Sequence, residues 1–284
     1  MTDTPKKPSG LKQRVLTALV LIPVLIIVLV LGGWFAAVIA ALCLAVALYE
    51  QLNTLKNGGY RPVWWPAFAA LAAGVIMVPL KLGTLYLALV VALVFCVLLC
   101  VMCRREDPKF ADIMGSVLPV GALVLPGVCL TTIAVTQPRQ LQLLLLLYVF
   151  ATAIGCDTLA YFVGSALGGP KLCPHISPKK TVSGAVGGLL GSVLFALLVD
   201  LGFRWLAADF MSGMPLWHTL LLGLVCGVAA QMGDLFASML KRHCSVKDFG
   251  SIFPGHGGMM DRLDSVLFTS IIVFAYRAIL LGLF

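Results

Sequence analysis

Apolar runs about as long as a bilayer is thick recur from one end of this sequence to the other, and they decide what the chain can fold into. They read at about Val15 to Leu31, Phe35 to Leu48, Val63 to Leu80, Leu82 to Met102, Met114 to Val135, Leu141 to Gly164, Gly184 to Leu206, Trp217 to Leu240 and Asp261 to Leu283. About 20 helical residues cross a hydrocarbon core, and inside it every backbone amide and carbonyl must find its partner within the segment. The runs therefore predict an all-α, polytopic bundle of about nine transmembrane helices. Only 11% of the 284 residues are charged, against about a quarter in soluble proteins. No soluble basic domain interrupts the runs, so the net charge of +8 argues for anionic lipid and nucleotide and against nucleic acid.

The basic residues orient the bundle. With Lys6, Lys7, Lys12 and Arg14 in the cytoplasm, alternate loops keep 16 of the 20 lysines and arginines on that side; only Lys81, Arg139, Arg204 and Arg277 fall elsewhere. Such asymmetry is the positive-inside pattern. The first run is too long for the apolar part of a signal peptide and lacks a small-x-small cleavage site, so it is expected to stay as an anchor. The nine cysteines lie mostly in apolar runs, and the formal C-x-x-C of Cys100 and Cys103, with no second pair, reads as packing.

Against this background the stretch from Gln231 to Ser265 stands apart, with ten acidic, basic or histidine side chains. On a continuing helix Asp234, Ser238 and Lys241 share a face, and Asp261 and Asp264 share another at i, i+3. Hard carboxylate oxygens converging from two helix ends suit Mg²⁺, which needs few protein ligands when phosphate and water complete its octahedron. Lys241, Arg242, Lys247 and Arg262 surround those acids, as a polyphosphate with its metal requires. In Pro254-Gly255-His256-Gly257-Gly258 the glycines admit close backbone approach to an anion just before a helix N-terminus. Lysines and arginines beside a membrane helix also serve anionic lipid, and a loop histidine is as often solvated as catalytic. An acid inside an apolar span, as at Asp234, marks a pathway or a site by default.

A second polar group runs from Cys156 to Thr181. Asp157, Tyr161 and Gly164 share one helix face, and the following loop, stiffened by Pro170, Pro174 and Pro178, presents Lys179 and Lys180. That loop reads as a phosphate clamp or as a lipid-touching basic patch.

Taken together, Ser238-Met239-Leu240-Lys241-Arg242, Lys247-Asp248-Phe249-Gly250, Pro254-Gly255-His256-Gly257-Gly258 and Asp261-Arg262-Leu263-Asp264-Ser265 closely resemble the signature of the phosphatidate cytidylyltransferases, or CDP-diacylglycerol synthases. The segments Asp157 to Gly164 and Ile176 to Thr181 also look like that family, so the resemblance is strong from about Gly155 to Ser265 and general before it. One departure is Ser183, where family members commonly carry an acid before the glycine. The resemblance implies a nucleotidyltransferase of phospholipid biosynthesis in a bacterial inner membrane, with a possible homodimer among its expectations. Its reaction joins CTP and phosphatidic acid into CDP-diacylglycerol and pyrophosphate with Mg²⁺, alone or with a second ion.

On that footing Asp234, Asp261 and Asp264 are expected to hold metal, and Lys179, Lys180, Lys241 and Arg242 to serve phosphates. His256 takes a positioning or leaving-group role, and Asp157 an outer-sphere metal contact or the orienting of lysines. Ser238, Lys247, Asp248, Gly255, Gly257, Gly258 and Arg262 complete the substrate-binding set. Residues 1–135 read as scaffold helices and residues 136–284 as the catalytic region. Other Mg²⁺-dependent membrane transferases would show D-G-x-x-A-R with further aspartates, or D-D-x-x-D runs; a secondary transporter would show inverted repeats. None of these patterns is visible in the sequence.

Overall fold

The computed structural model describes residue 19 and residues 23–211, 215–253 and 257–283. Among them seven helices are long and apolar enough to cross a membrane: α1 (Gly33–Asn57), α3 (Gly83–Arg104), α4 (Phe110–Ala134), α5 (Arg139–Leu167), α6 (Val182–Leu206), α7 (Leu216–His243) and α8 (Met260–Leu283). A shorter apolar helix, α2 (Trp65–Met77), lies between α1 and α3. The all-α membrane bundle is thus observed, with seven qualifying helices rather than about nine. Residues 23–31 are helical, but the rest of the run from Val15 lies largely outside the described residues, as do Lys6, Lys7, Lys12 and Arg14. The run from Val63 becomes a helix of only 13 residues, with Pro66 in its first turn, where a missing N–H costs nothing.

The run ending at Leu48 extends much further than its apolar letters. α1 continues through Glu50, Gln51 and Thr54 to Asn57 because those polar side chains are buried within the bundle instead of marking a loop. α4 carries a wide π turn at Val120–Val124 between Pro119 and Pro126, so one helix passes two prolines without a break. The exception to the all-helical reading is a hairpin of β1 (Lys171–Cys173) and β2 (Ser177–Thr181), paired antiparallel with Lys171 opposite Thr181. It sits between α5 and α6.

Two apolar cores fill the bundle, and both draw on helices from each side of residue 135. One joins Ala36 and Ala37 to Leu144, Leu145 and Val273; the other joins Leu48 and Leu52 to Ala237, Leu240 and Leu267. Lipid supplies little hydrophobic drive between helices, so close backbone approach does the packing. α5 and α6 meet at Gly155 and Gly191, where a Cβ on Gly155 would stand 2.8 Å from the Gly191 carbonyl. α7 meets α8 the same way, since a Cβ on Gly233 would collide with the Asp264 carbonyl.

Contacts sort the polar side chains to two ends. At one end Asp112, 2% exposed, accepts from the Arg61 backbone at 2.9 Å and from Arg105 at 2.5 Å, and the Tyr60 hydroxyl meets His243. At the other, Arg139 donates to the Leu29 carbonyl at 2.6 Å and Arg277 to Thr136 at 2.7 Å. Asp200 is buried among Thr219 at 2.9 Å, Tyr148 at 3.3 Å and Arg204 at 2.6 Å. All nine cysteines are free thiols.

Candidate functional site

The site forms where α5, α7 and α8 reach the end that carries Asp112 and His243. Glycine packing at Gly155 and at Gly233 draws their backbones together, and Asp157, Asp234 and Asp264 come within electrostatic reach of one another. Three carboxylates gathered in partly buried surroundings repel, so the arrangement demands cations. Lys180, at the end of the hairpin, supplies one through an ion pair of 2.5 Å with Asp234. Lys241 and Arg262 also act on the cluster, the first on Asp264 and the second on Asp157. Ser238 donates to Asp234 at 3.4 Å and Ser265 to Asp157 at 3.5 Å.

Asp261 does something different from its neighbour one turn away. Its Oδ1 takes the Lys241 ammonium at 2.6 Å, in a pair whose side chains are 12% and 5% exposed. Its Oδ2 accepts the backbone amides of Phe249 at 2.9 Å and Gly258 at 3.0 Å. One carboxylate therefore closes the loop between α7 and α8 and neutralises the lysine at the end of α7. That ammonium also stands 5.3 Å from the centre of the Phe249 ring.

Beside the carboxylates a cavity of about 410 Å³ opens between the hairpin and helices α5, α6 and α7. Asp157, Tyr161, Lys179, Lys180, Gln231 and Asp234 line it. Lys180 is half-buried in its wall and Lys179 is exposed at its edge. Thr181 caps α6 by accepting the Gly184 amide at 3.1 Å. Ser183 donates its hydroxyl to the Gly168 carbonyl at the end of α5, a bond that a carboxylate could not give. Ser183 thus ties the start of α6 to the end of α5.

The structure brings together most, though not all, of the residues that the sequence singles out. Asp157, Lys180, Asp234, Lys241, Arg262 and Asp264 converge. Arg242, Lys247 and Asp248 are exposed, with Arg242 donating to the Val246 carbonyl at 3.3 Å, past the end of α7. Gly257 adopts φ +82, the left-handed region a glycine permits, beside Asp261. Pro254, Gly255 and His256 lie outside the described residues. Among the described residues no three His, Cys, Asp or Glu side chains are arranged as a metal cage.

One buried acid beside the loop stands outside the sequence reading. Glu50 of α1, only 4% exposed, accepts the Met260 amide at 2.9 Å at the start of α8. The signal in the sequence is an acid two residues past an apolar run. The apolar letters end at Leu48, so hydropathy alone puts Glu50 past the end of the helix.

Comparison with known proteins now bears on this geometry. Residues 12–280 match the cytidylyltransferase family. The chain is similar to the phosphatidate cytidylyltransferase of Staphylococcus haemolyticus (strain JCSC1435), 33% identical over 263 residues, which covers 91% of this chain and 95% of the relative. It is similar also to the phosphatidate cytidylyltransferase of Synechocystis sp. (strain ATCC 27184 / PCC 6803 / Kazusa), 30% identical over 300 residues, covering 95% and 97%.

Proposed function

The chain belongs to the cytidylyltransferase family, and from that premise we propose that it transfers the cytidylyl group of CTP to phosphatidic acid, releasing pyrophosphate and forming CDP-diacylglycerol. The observation that carries the reading to this chain's own residues is the meeting of Asp157, Asp234 and Asp264 with Lys180 beside a cavity at the end of an apolar bundle. A lipid phosphate and a nucleotide triphosphate are both anions, and the site's chemistry is the management of their charge.

A phosphate monoester is largely dianionic at neutral pH, because its second pKa is about 6. It can attack the α-phosphorus of CTP without a strong general base. The new bond joins a phosphatidate oxygen to that phosphorus, and the bond to the bridging oxygen of the β-phosphate breaks. The electron pair leaves with pyrophosphate. Lys180 and Lys179, at the wall and edge of the cavity, neutralise approaching phosphate oxygens, and Lys180 also holds Asp234 in place. Arg242, Lys247, Asp248 and Arg262 meet the nucleotide from the aqueous side, with Ser238 orienting Asp234. Gly257 and Gly258 let the loop approach the phosphates; the positioning or leaving-group role expected of His256, like the part expected of Gly255, falls outside the described residues.

Mg²⁺ fits this donor set: the oxygens are hard, and three clustered carboxylates need more positive charge than Lys180 and Arg262 give, Lys241 being paired with Asp261. Asp234 and Asp264 would hold it, Asp261 being committed to Lys241 and the loop amides, and Asp157 would act on its outer sphere. An ion bound there would supply positive charge to the triphosphate and to the departing pyrophosphate.

Counting α2 and the segment that begins at Val15 as passes gives nine crossings and puts Lys56, Arg61, Arg105, Lys109, Lys180 and Lys241 at one end. The positive-inside pattern makes that end cytoplasmic, in a bacterial inner membrane, where CTP arrives from water while acyl chains stay in lipid. The reading is tested by incubating purified protein with labelled CTP, with and without phosphatidic acid. Pyrophosphate and a labelled lipid should appear together and only with both substrates; pyrophosphate release without phosphatidate, or none with it, contradicts the proposal.

A further inference from the structure

Glu50 belongs to the half of the chain that reads as scaffold, yet its carboxyl group sits inside the loop joining α7 to α8. Met260, the first residue of α8, donates its amide to Oε2 at 2.9 Å. A Cβ added to Gly250 would collide with Oε1, and one added to Gly258 with Oε2. Oε1 has no hydrogen-bond partner among the described residues, although Glu50 is 4% exposed. A buried acid is retained in such a place only where the surrounding structure uses it.

The loop is thereby held by two carboxylates from opposite directions. Asp261 gathers the amides of Phe249 and Gly258 from within, and Glu50 reaches across from α1 to the Met260 amide and fills the space left by both glycines. Met260 is one residue from Asp261 and one turn from Asp264. A shift at the α8 N-terminus moves both acids, and misplacing a reacting group by about 1 Å can cost a hundredfold in rate.

Resting on the cytidylyltransferase reading, we infer that Glu50 is a positioning residue: α1 uses its side chain as a latch that sets the height of the loop and of the α8 N-terminus, and so the placement of Asp264 against Asp234. The N-terminal half then contributes to turnover directly through one acceptor.

The test compares Glu50→Ala, Glu50→Gln, Gly258→Ala and the double variant Glu50→Ala/Gly258→Ala in detergent. Glu50→Ala should lower kcat by about a hundredfold with KM for CTP and phosphatidate nearly unchanged. Glu50→Gln keeps an acceptor of the same reach for the Met260 amide and should restore most of that loss. Gly258→Ala should be as slow as Glu50→Ala, and the double variant no slower than either, because removing the carboxylate makes room for the methyl. Wild-type speed in Glu50→Ala, a glutamine variant as slow as alanine, or losses that multiply in the double variant would overturn the latch.

Limited trypsin digestion separates this outcome from failure of the reaction itself. Cutting after the exposed Lys247 should accelerate in Glu50→Ala while cutting after Lys56 and Lys171 keeps its wild-type rate. Equal acceleration at all three sites overturns a local role, whether or not the wild type turns over CTP. Should Glu50→Ala fail to accumulate, Gly250→Ala and Gly258→Ala carry the test, since each sets a methyl against the carboxylate; either one at wild-type kcat overturns the inference.

Discussion

Asp261 and Asp264 are one helical turn apart and look interchangeable as letters, but their surroundings give them different work. Asp261 has committed both oxygens, one to Lys241 and the other to two loop amides. Asp264 faces Asp234 and Asp157. Asp264→Asn and Asp234→Asn remove charge at constant size, and each should lower turnover by at least about a hundredfold while raising the Mg²⁺ concentration needed for half activity. Asp261→Asn should also be slow, with its Mg²⁺ requirement near that of the wild type; titrations of rate against Mg²⁺ check all three. Full activity in Asp264→Asn contradicts the assignment. The lysines divide in the same way. Lys180 pairs with Asp234 and Lys179 stands at the cavity's edge, so Lys180→Ala should cost more kcat/KM than Lys179→Ala in neutral detergent with short-chain phosphatidate. Equal and negligible losses would return the hairpin to a lipid-touching patch. Of this site, Asp157, Asp234, Asp264 and the lysines were legible because charge is conspicuous in apolar sequence. The division of labour between Asp261 and Asp264 was not, because it depends on which loop amides fold back.

At the scale of elements, the site's geometry rests on how closely helices approach. Gly191→Val would push α6 from α5, whose Gly155 carbonyl lies against that position, and displace Asp157 and the hairpin together. Overpacking of this kind costs about 1–3 kcal/mol. A lower melting temperature in detergent and at least about a tenfold loss of turnover are expected; an unchanged melting curve with full activity would mean that the α5–α6 contact does not set the site. The long helices α5, α6, α7 and α8 were readable from their apolar letters to within a few residues. α2 also follows its run to within three residues at each end; α1 does not, because buried polar side chains prolong the helix past its apolar run. The hairpin at Lys171–Thr181 looks in sequence like a stiff loop, since strands of three and five residues leave no periodic pattern.

For the whole molecule, sequence hydropathy specified a membrane bundle and basic residues predicted one highly charged end. The contacts gather Arg61, Arg105, Asp112, Lys180, Lys241 and His243 toward that end. A sequence could not show that two cores each join helices from both sides of residue 135, because such packing is a matter of which small residues face each other. The account's central claim is that the phosphate of the lipid attacks the α-phosphorus of CTP directly in this site. It is tested by supplying phosphatidic acid with ¹⁸O in its phosphate and following the label by mass spectrometry. All of the label should appear in CDP-diacylglycerol and none in pyrophosphate, with formation of both products lost in Asp264→Asn; label in pyrophosphate, or labelled lipid formed equally by that variant, would contradict the account.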